Sequence, residues 1–463
     1  MTEPIDSFPD FTGFFGDKRI ANRAATVLNK LTLGRSSSIR SITESEAEQR
    51  SFYRLFNNES FTEDEIAKSI VSRCGEICGG RHVLAIQDTV EYNLNDNRGR
   101  IQPGSGLGST GQKDILGFLM HHSFVVDARI GTALGYSSIK LWNRPEDGLG
   151  KHERGYQGLP IEKKESYKWV EASLKTKDLL QNANLVTIVA DRESDIYDMM
   201  ALIPDAKTHL LLRCRTDRRL SNDEKLYSYL SELPVMHAYE LPLTGDKRKN
   251  TKTRIAKIEV KWSKVTIVRP ANGNKELSPT VNLYCVEAKE SGKKGGITWR
   301  LLTTHVVENP EQAMGIIDWY KQRWYIEQIH RLLKTDGFRI ERSQLEQGWA
   351  IRKLTMLAMM AVLRILQLML ACEDESNQAI EEVFDEQQCQ CLQMANDKLE
   401  GTSEKQTNPY SLKSLKWASW IIARLGGWKG YASQRKPGPI VLQKGLAKFY
   451  NMFEGWQLYA KYT

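Results

Sequence analysis

Apolar positions along the chain alternate between a helical period of about 3.6 and short continuous runs, and each switch marks an element boundary. The first ~70 residues carry the helical period. "GDKRIANRAATVLNKL" opens at Asp17, a residue suited to an N-cap, and "TESEAEQRSFYRLF" begins with a capping-box signature. The run "VLAI" then reads as a strand that passes through Gln87 and ends at Asp88. "GFLMHHSFVVD" and "ARIGTALGYSSIKLW" predict two further strands turning near Asp127 to Arg129. "KKESYKWVEASLKTKDLLQ" predicts a helix, "NLVTIVADRESD" a buried strand delivering Asp191 at its end, and "HLLLRCR" another strand after a short helix. Residues 220–306 return to strand patterning with basic turns. Pro310 opens a helix expected to run on through "YKQRWYIEQIHRLLK", residues 320–334. Residues 387–410 are polar and loosely patterned, which predicts a linker or ragged helix. The tail, 411–463, reads as aromatic helices around "RLGGWKG".

The order strand, two hairpin strands, helix, strand, helix, strand predicts an α/β fold. It has a ribonuclease-H-like core interrupted by a β-rich insertion, with helical N- and C-terminal domains. The expected divisions are 1–70, 71–372 with the insertion at about 220–306, and 373–463. "LTMLAMMAVLRILQLMLAC", residues 354–372, has the length of a membrane span. Arg364 and Gln367 near its middle would be costly in lipid, so a buried core helix is predicted.

Composition changes this picture little, but charge placement adds to it. Hydrophobic residues at 41% and charged ones at 26% suit a folded chain. The 65 Lys and Arg against 57 Asp and Glu give a net +8, concentrated in patches. Bases gather at 18–40 (Lys18, Arg19, Arg23, Lys30, Arg35, Arg40), at 207–219, and at 247–264 on an expected hairpin tip, while acids pool at 373–386. Separate basic patches suit a polyanion longer than one phosphate. The seven cysteines form no framework. Cys74, Cys78 and His82 fall four apart, short of a four-ligand zinc site, and like Cys389 and Cys391 they read as reduced thiols. "MTEPIDSFPD" has no apolar signal region. A reducing, aqueous, cytoplasmic setting is expected.

On one helix, Tyr320, Arg323, Glu327 and Lys334 fall within about 60° of one face. Arg331 lies on that side and His330 at its margin, with Tyr325, Ile326, Ile329, Leu332 and Leu333 opposite. One carboxylate cannot compensate three bases. The spacing also fits a plain Arg323–Glu327–Arg331 ion-pair lattice. Asp88 and Asp191, each expected at a strand end, add two acids at the edge where ligands bind such sheets, although strand-end aspartates also form turns and caps. Glu193 and Asp195 are expected to serve as caps behind Asp191. Three carboxylates can hold two divalent ions about 3.5–4 Å apart across a phosphodiester.

"AIQDT", "VADRESDIYD" and "YKQRWYIEQIHRLLK" together resemble the DDE transposases of the bacterial insertion-sequence-four group, transposon-five-like. Their signature Y-x2-R-x3-E-x6-K recurs at Tyr320, Arg323, Glu327 and Lys334, and "GDKRIANRA", "KKESYKW", "TWRLLT" and "RLGGWKG" extend the similarity along nearly the whole chain. The pattern departs at Lys18, where the family often has proline.

The resemblance implies a cut-and-paste DNA transposase cleaving through a hairpin intermediate. Asp88, Asp191 and Glu327 would be catalytic and bind metal, two Mg²⁺ ions with Mn²⁺ as substitute. Tyr320, Arg323 and Lys334 would grip phosphates, with Arg331 on the same side. Trp299 would stack on a flipped base, or pack inside the insertion. Arg213 would contact DNA with Arg215 beside it, or simply face solvent, and Arg19 and Arg23 would contact the transposon end. The expected partners are double-stranded DNA (terminal inverted repeats and target) and a second copy of the chain, with no membrane. The 411–463 helices would form the dimer contact or pack internally. A repressor lacking chemistry and a metal-dependent nuclease of the same fold are the alternatives.

Overall fold

A computed structural model describes residues 11–460 apart from 35, 112–114, 145–158, 244, 246–251, 374–377, 402–405 and 432–434. The first ten residues, Arg35, the tip bases Lys247, Arg248 and Lys249, and part of the acidic 373–386 stretch lie outside the described residues.

Strand β1 (His82–Asn93) pairs antiparallel with β3 (Leu116–Asp127), which pairs antiparallel with β4 (Ala133–Trp142). On its other side β1 runs parallel to β5 (Leu185–Ala190), and β5 parallel to β6 (Thr208–Arg213). The spatial order β4-β3-β1-β5-β6, with three antiparallel strands then two parallel ones, is the ribonuclease-H-like arrangement. The insertion does not stand apart from this sheet. Its last strand, β10 (Thr298–Thr303), pairs antiparallel with β6, and β9 (Thr280–Glu290), β8 (Arg254–Val268) and β7 (His237–Leu243) follow outward. The two-residue β2 (Gly108–Ser109) flanks β3.

Ile86, Val189 and Leu211 occupy one cross-strand row and sit in a large core with α8 (Pro310–Lys321), α9 (Trp324–Arg331) and α10 (Gly348–Glu373). The opposite face packs on α5 (Tyr167–Leu179) and α6 (Tyr197–Leu202) through Trp169, Val170, Met199 and Met200, and α7 (Leu226–Glu232) joins the same core through Leu226 and Leu230. Helix α10 is the long apolar one, and it is buried inside the protein. Arg364 Nη1 donates to Gln367 Oε1 at 3.2 Å, and Gln367 Nε2 donates to the Ala133 carbonyl at 3.2 Å, which satisfies polar groups that lipid could not.

The N-terminal helices α1 (Lys18–Gly34), α2 (Ile39–Ile42), α3 (Glu46–Phe56) and α4 (Glu63–Ile77) share this core, as do α12 (Leu415–Leu425) and α13 (Pro439–Ala460). Lys353 of α10 donates to the carbonyls of Phe56 and Asn58 at 3.0 and 3.1 Å, tying the end of α3 to the centre. Half of the capping box at α3 forms: the Glu48 backbone N–H donates to Ser45 Oγ, while the Glu48 carboxylate accepts from the Glu44 N–H and not from that of the N-cap Ser45.

Three sequence expectations change. Within 387–410, expected as linker or ragged helix, the first part belongs to a regular helix, α11 (Glu386–Leu399), with a reciprocal Asp385–Gln388 capping box; glutamine is a good helix former, and the cap compensates for weak patterning. The 320–334 stretch is not one helix: α8 stops at Lys321, α9 restarts at Trp324, and Leu332–Asp336 form a π-turn. Asp88 lies inside β1 and not at its end. The thiols Cys74 and Cys78 touch at 3.8 Å, both buried and unbridged, while His82 faces Thr187.

His82 and His305 both hydrogen-bond the Thr187 hydroxyl, at 2.9 and 2.8 Å, and His209 stacks on His305 at 4.1 Å. Burial first, then the neighbouring imidazoles, lowers His82 to about 4 and His305 to about 3. Unfolded histidines titrate near 6.5, so between about pH 6.5 and 4 the unfolded chain takes protons that the folded one refuses. Stability from these groups is therefore present above about 6.5 and is lost as pH falls. Urea unfolding across that range should show His305→Gln with a flatter pH slope than the parent; equal slopes would contradict the neutral cluster.

Candidate active site

The parallel pairing of β1 with β5 ends at Gln87 opposite Ala190, and that of β5 with β6 at Ala190 opposite Leu212. One residue further along the same three strands come Asp88, Asp191 and Arg213. Side chains alternate along strands, so these three share the face of Ile86, Val189 and Leu211, which is the face covered by α8 and α9. Two carboxylates and a guanidinium thus stand in one row where the parallel sheet stops and α9 lies across it. Asp88 owes its place to the end of its neighbour β5, because β1 itself continues as partner of β3.

Each acid is held by a main-chain donor. The Thr89 N–H donates to Asp88 Oδ1 at 2.7 Å, and the Glu193 N–H to Asp191 Oδ1 at 2.8 Å, so Asp191 caps the 3₁₀ turn 192–194. Arg323 Nη1 donates to Asp88 Oδ2 at 3.3 Å, and its Nη2 contacts Glu327 Oε1 one turn along α9. One guanidinium therefore joins the first and third acids. Burial, then the charges of Asp191 and Glu327, pushes Asp88 up to about 7 against the pull of the Thr89 N–H and Arg323. Burial also raises Asp191, with the Glu193 charge adding to it, while the Glu193 N–H, Arg323 and Lys168 work the other way. For Arg323 burial opposes the charge, but Tyr320, Glu327 and Asp88 outweigh it and hold the group above its ordinary range.

Carboxylates that burial and a neighbouring negative charge disfavour, as at Asp88, fit a divalent cation, whose charge would take the place of the guanidinium. Among the described residues no three His, Cys, Asp or Glu side chains are grouped closely enough to hold a metal ion as they stand, and Arg323 lies between Asp88 and Glu327.

Tyr320, expected on the exposed strip, is 3% exposed, because it belongs to the last turn of α8 rather than to α9. Its ring meets Trp299 edge-on at 5.3 Å, and its hydroxyl lies near the Arg213 guanidinium without a well-formed hydrogen bond. Trp299 is half-buried on β10, and Arg213 donates to the Thr298 carbonyl at 3.3 Å. Lys334 sits on the π-turn, where its Nζ donates to the Glu91 carbonyl at 2.8 Å and pairs with Glu341 Oε1 at 3.1 Å. It lines a cavity with Asn93, Arg339 and Arg342. His330, expected at the margin of the strip, is half-buried and shares a 3.0 Å contact with His122.

The structure thus gathers Asp88, Asp191, Glu327, Arg323, Tyr320, Arg213 and Trp299, with Lys334 beyond the end of α9. Arg331 and Arg215 are exposed, and the Arg215 backbone N–H donates to Asp195. Arg19 and Arg23 are exposed on α1, with Arg19 paired to Asp17 at 2.9 Å. Asp195 is no cap: its oxygens accept from the Arg215 and Thr216 N–H groups at 2.7 and 2.8 Å and from Arg218 Nε at 2.9 Å.

Two further residues escaped the sequence reading. Lys168 is buried on α5 with its Nζ 3.6 Å from Glu193, and no local pattern points it toward Asp191. Trp324 opens α9 with its indole 57% exposed beside Arg323. Its three-residue spacing from Glu327 put it on the functional face and could have revealed it.

Residues 171–364 match the family described as the transposase DDE domain, and residues 14–61 match the transposase DNA-binding family. The chain carries the domains of a DDE transposase. Asp191, Arg213, Arg215, Trp299 and the whole 320–334 stretch lie inside the first match, Arg19 and Arg23 inside the second, and Asp88 outside both. The DNA-binding match makes DNA a partner of this chain, and DDE domains generally use divalent metal ions. A solved structure, "Cryo-EM structure of piggyBac transposase synaptic complex with hairpin DNA", is similar over 77% of this chain and 71% of that one, at 11% identity and a TM-score of 0.34.

Proposed function

We propose that this transposase moves its element by cut and paste, and that Asp88, Asp191 and Glu327 are its catalytic acids. The observation that carries this is the single row of Asp88, Asp191 and Arg213 closed over by Arg323 and Glu327. The three carboxylates would hold two Mg²⁺ ions, or Mn²⁺ in their place, which activate the attacking oxygen and stabilise the departing one when bound.

The chain's own residues then bind and orient DNA. Arg323 and Arg213 face the row of acids and can take the phosphate oxygens beside the scissile bond as charge-assisted hydrogen bonds. Tyr320 packs edge-on against Trp299 with its hydroxyl beside Arg213. Trp299 and the exposed Trp324 offer ring faces to an unstacked base, each such contact giving about 1–3 kcal/mol. Water first cuts one strand; the freed 3′-hydroxyl then attacks the opposite strand, closing a hairpin on the transposon end. After the hairpin is reopened, the 3′-hydroxyl joins target DNA. Each transesterification exchanges one P–O bond for another.

The four-residue signature on 320–334 supports the insertion-sequence-four, transposon-five-like assignment and a bacterial source. Residues 1–70, with Arg19 and Arg23 exposed on α1, are assigned to the terminal inverted repeats, 71–372 to the catalytic core and 373–463 to a homodimer contact. The apolar faces of α12 and α13 are buried within the subunit at Trp417, Trp420, Ile421 and Phe449, so a dimer contact would use exposed residues such as Met452 and Leu458.

With Mg²⁺ and DNA bearing the element's terminal repeats, the purified protein should release hairpin-ended fragments on a denaturing gel. Cut fragments with only open ends would overturn the hairpin step. For Lys334→Ala, end binding should weaken and the slope of log affinity against log salt should fall by about one phosphate's worth. An unchanged slope would remove Lys334 from the phosphate surface.

A further inference from the structure

Arg323 is shared between two tasks that it cannot perform together. Its guanidinium contacts Asp88 Oδ2 and Glu327 Oε1, and the remaining oxygen of Asp88 is engaged by the Thr89 N–H. A divalent ion bound between Asp88 and Glu327 through those two oxygens would meet the guanidinium. A guanidinium and a divalent cation on the same oxygens repel one another, so ion binding and this contact compete. The alternative partner for the displaced group is close by. Arg323 begins α9 at the break after α8, beside Tyr320 and on the side where Arg213 ends its row. A phosphodiester laid along that row would meet it.

We propose that Arg323 couples divalent-ion binding to DNA binding, with the ion releasing the guanidinium from Asp88 and Glu327 to the DNA phosphate. This rests on the metal-binding reading given above. Coupling of this kind is reciprocal: the factor by which the ion tightens DNA binding equals the factor by which DNA tightens ion binding. A transposase so built holds DNA weakly at its cutting site until the ions are in place. Its general DNA contacts, outside the row, do not change with the ion.

The geometry also fixes what substitution does. Arg323→Ala removes the competitor, leaves Asp88, Asp191 and Glu327 with their mutual repulsion, and so should tighten ion binding in the absence of DNA. It also removes the group that passes the ion's effect to the phosphate. Arg323→Lys keeps one positive charge but lacks the fork that spans two carboxylates, so it should fall between the parent and Arg323→Ala.

The test is a binding cycle that needs no turnover. Mn²⁺ affinity is measured by electron paramagnetic resonance with and without a short duplex ending at the transposon's 3′ terminus. The affinity of that duplex is measured by fluorescence anisotropy with and without Mn²⁺. For the parent, each ligand should tighten the other by the same factor, at least about fivefold. Arg323→Ala should bind Mn²⁺ more tightly alone, and its mutual factor should approach one. An unchanged Mn²⁺ affinity together with an unchanged mutual factor in Arg323→Ala overturns the coupling. Asp191→Ala separates the two levels. If it binds Mn²⁺ as the parent does, the metal-binding reading itself fails; if it loses Mn²⁺ while Arg323→Ala matches the parent throughout, only the coupling fails.

Discussion

Asp191→Ala should lower strand cleavage at the transposon end by about a thousandfold or more while leaving end binding within a few-fold of the parent. The size follows from removing one oxygen donor from ions that supply several kcal/mol of transition-state charge stabilisation, at 1.36 kcal/mol per tenfold. Binding survives because the bases expected to grip the ends sit on other elements. Loss of the Asp191 carboxylate also relieves Asp88, whose carboxyl is held up to about 7 first by burial and then by the Asp191 charge. A gel-shift assay beside a cleavage assay reads both effects. A variant that cuts at the parental rate would remove Asp191 from the catalytic set.

The second large effect concerns folding. Asp195 lies four residues beyond Asp191 and has no exposed side-chain surface, while Arg218 is 7% exposed. Together they fasten the turn after β5 to the loop after β6, the two segments that carry Asp191 and Arg213 into the row. Asp195→Ala strands the Arg218 guanidinium in the interior and frees two backbone N–H groups at once. Breaking a buried pair this way costs about 3–5 kcal/mol. Urea unfolding should record that loss, and Asp195→Ala/Arg218→Met should recover part of it. A loss under about 1 kcal/mol would mean that solvent reaches the pair.

These two aspartates also show where local sequence stops being informative. Asp191 was legible because β5 is a short apolar run that ends in polar residues. Asp195 looked like a cap because its partners, Arg215, Thr216 and Arg218, belong to a loop placed beside it only by the parallel pairing of β5 with β6. Asp88, expected at a strand end, lies inside β1. The apolar run "VLAI" stops before it, yet β1 continues through Asn93 as the antiparallel partner of β3. Which neighbour runs out first is a property of the sheet, and no window of sequence contains it.

The 320–334 stretch shows the same limit on a helix. A period of 3.6 placed Ile326, Ile329, Leu332 and Leu333 in the core, while Tyr325 of the same set is half-buried beside it. It assumed one continuous helix, however, and so missed the break after Lys321 and the π-turn at Leu332. Tyr320 consequently moved into the interior, and Lys334 came to bond the Glu91 carbonyl of β1. The contact that organises the site, Arg323 with Asp88, spans 235 positions. Charge patterning showed an excess of bases around Glu327 but could not show which acid would be shared.

The central claim is that three carboxylates from two strands and one helix close around divalent ions. Anomalous diffraction from Mn²⁺-soaked crystals of the transposase with a duplex ending at the transposon's 3′ terminus tests it directly. Manganese peaks should lie within bonding distance of oxygens from Asp88, Asp191 and Glu327, with Arg323 turned to a phosphate. Manganese bound with any one of those three side chains out of reach of every peak would contradict it.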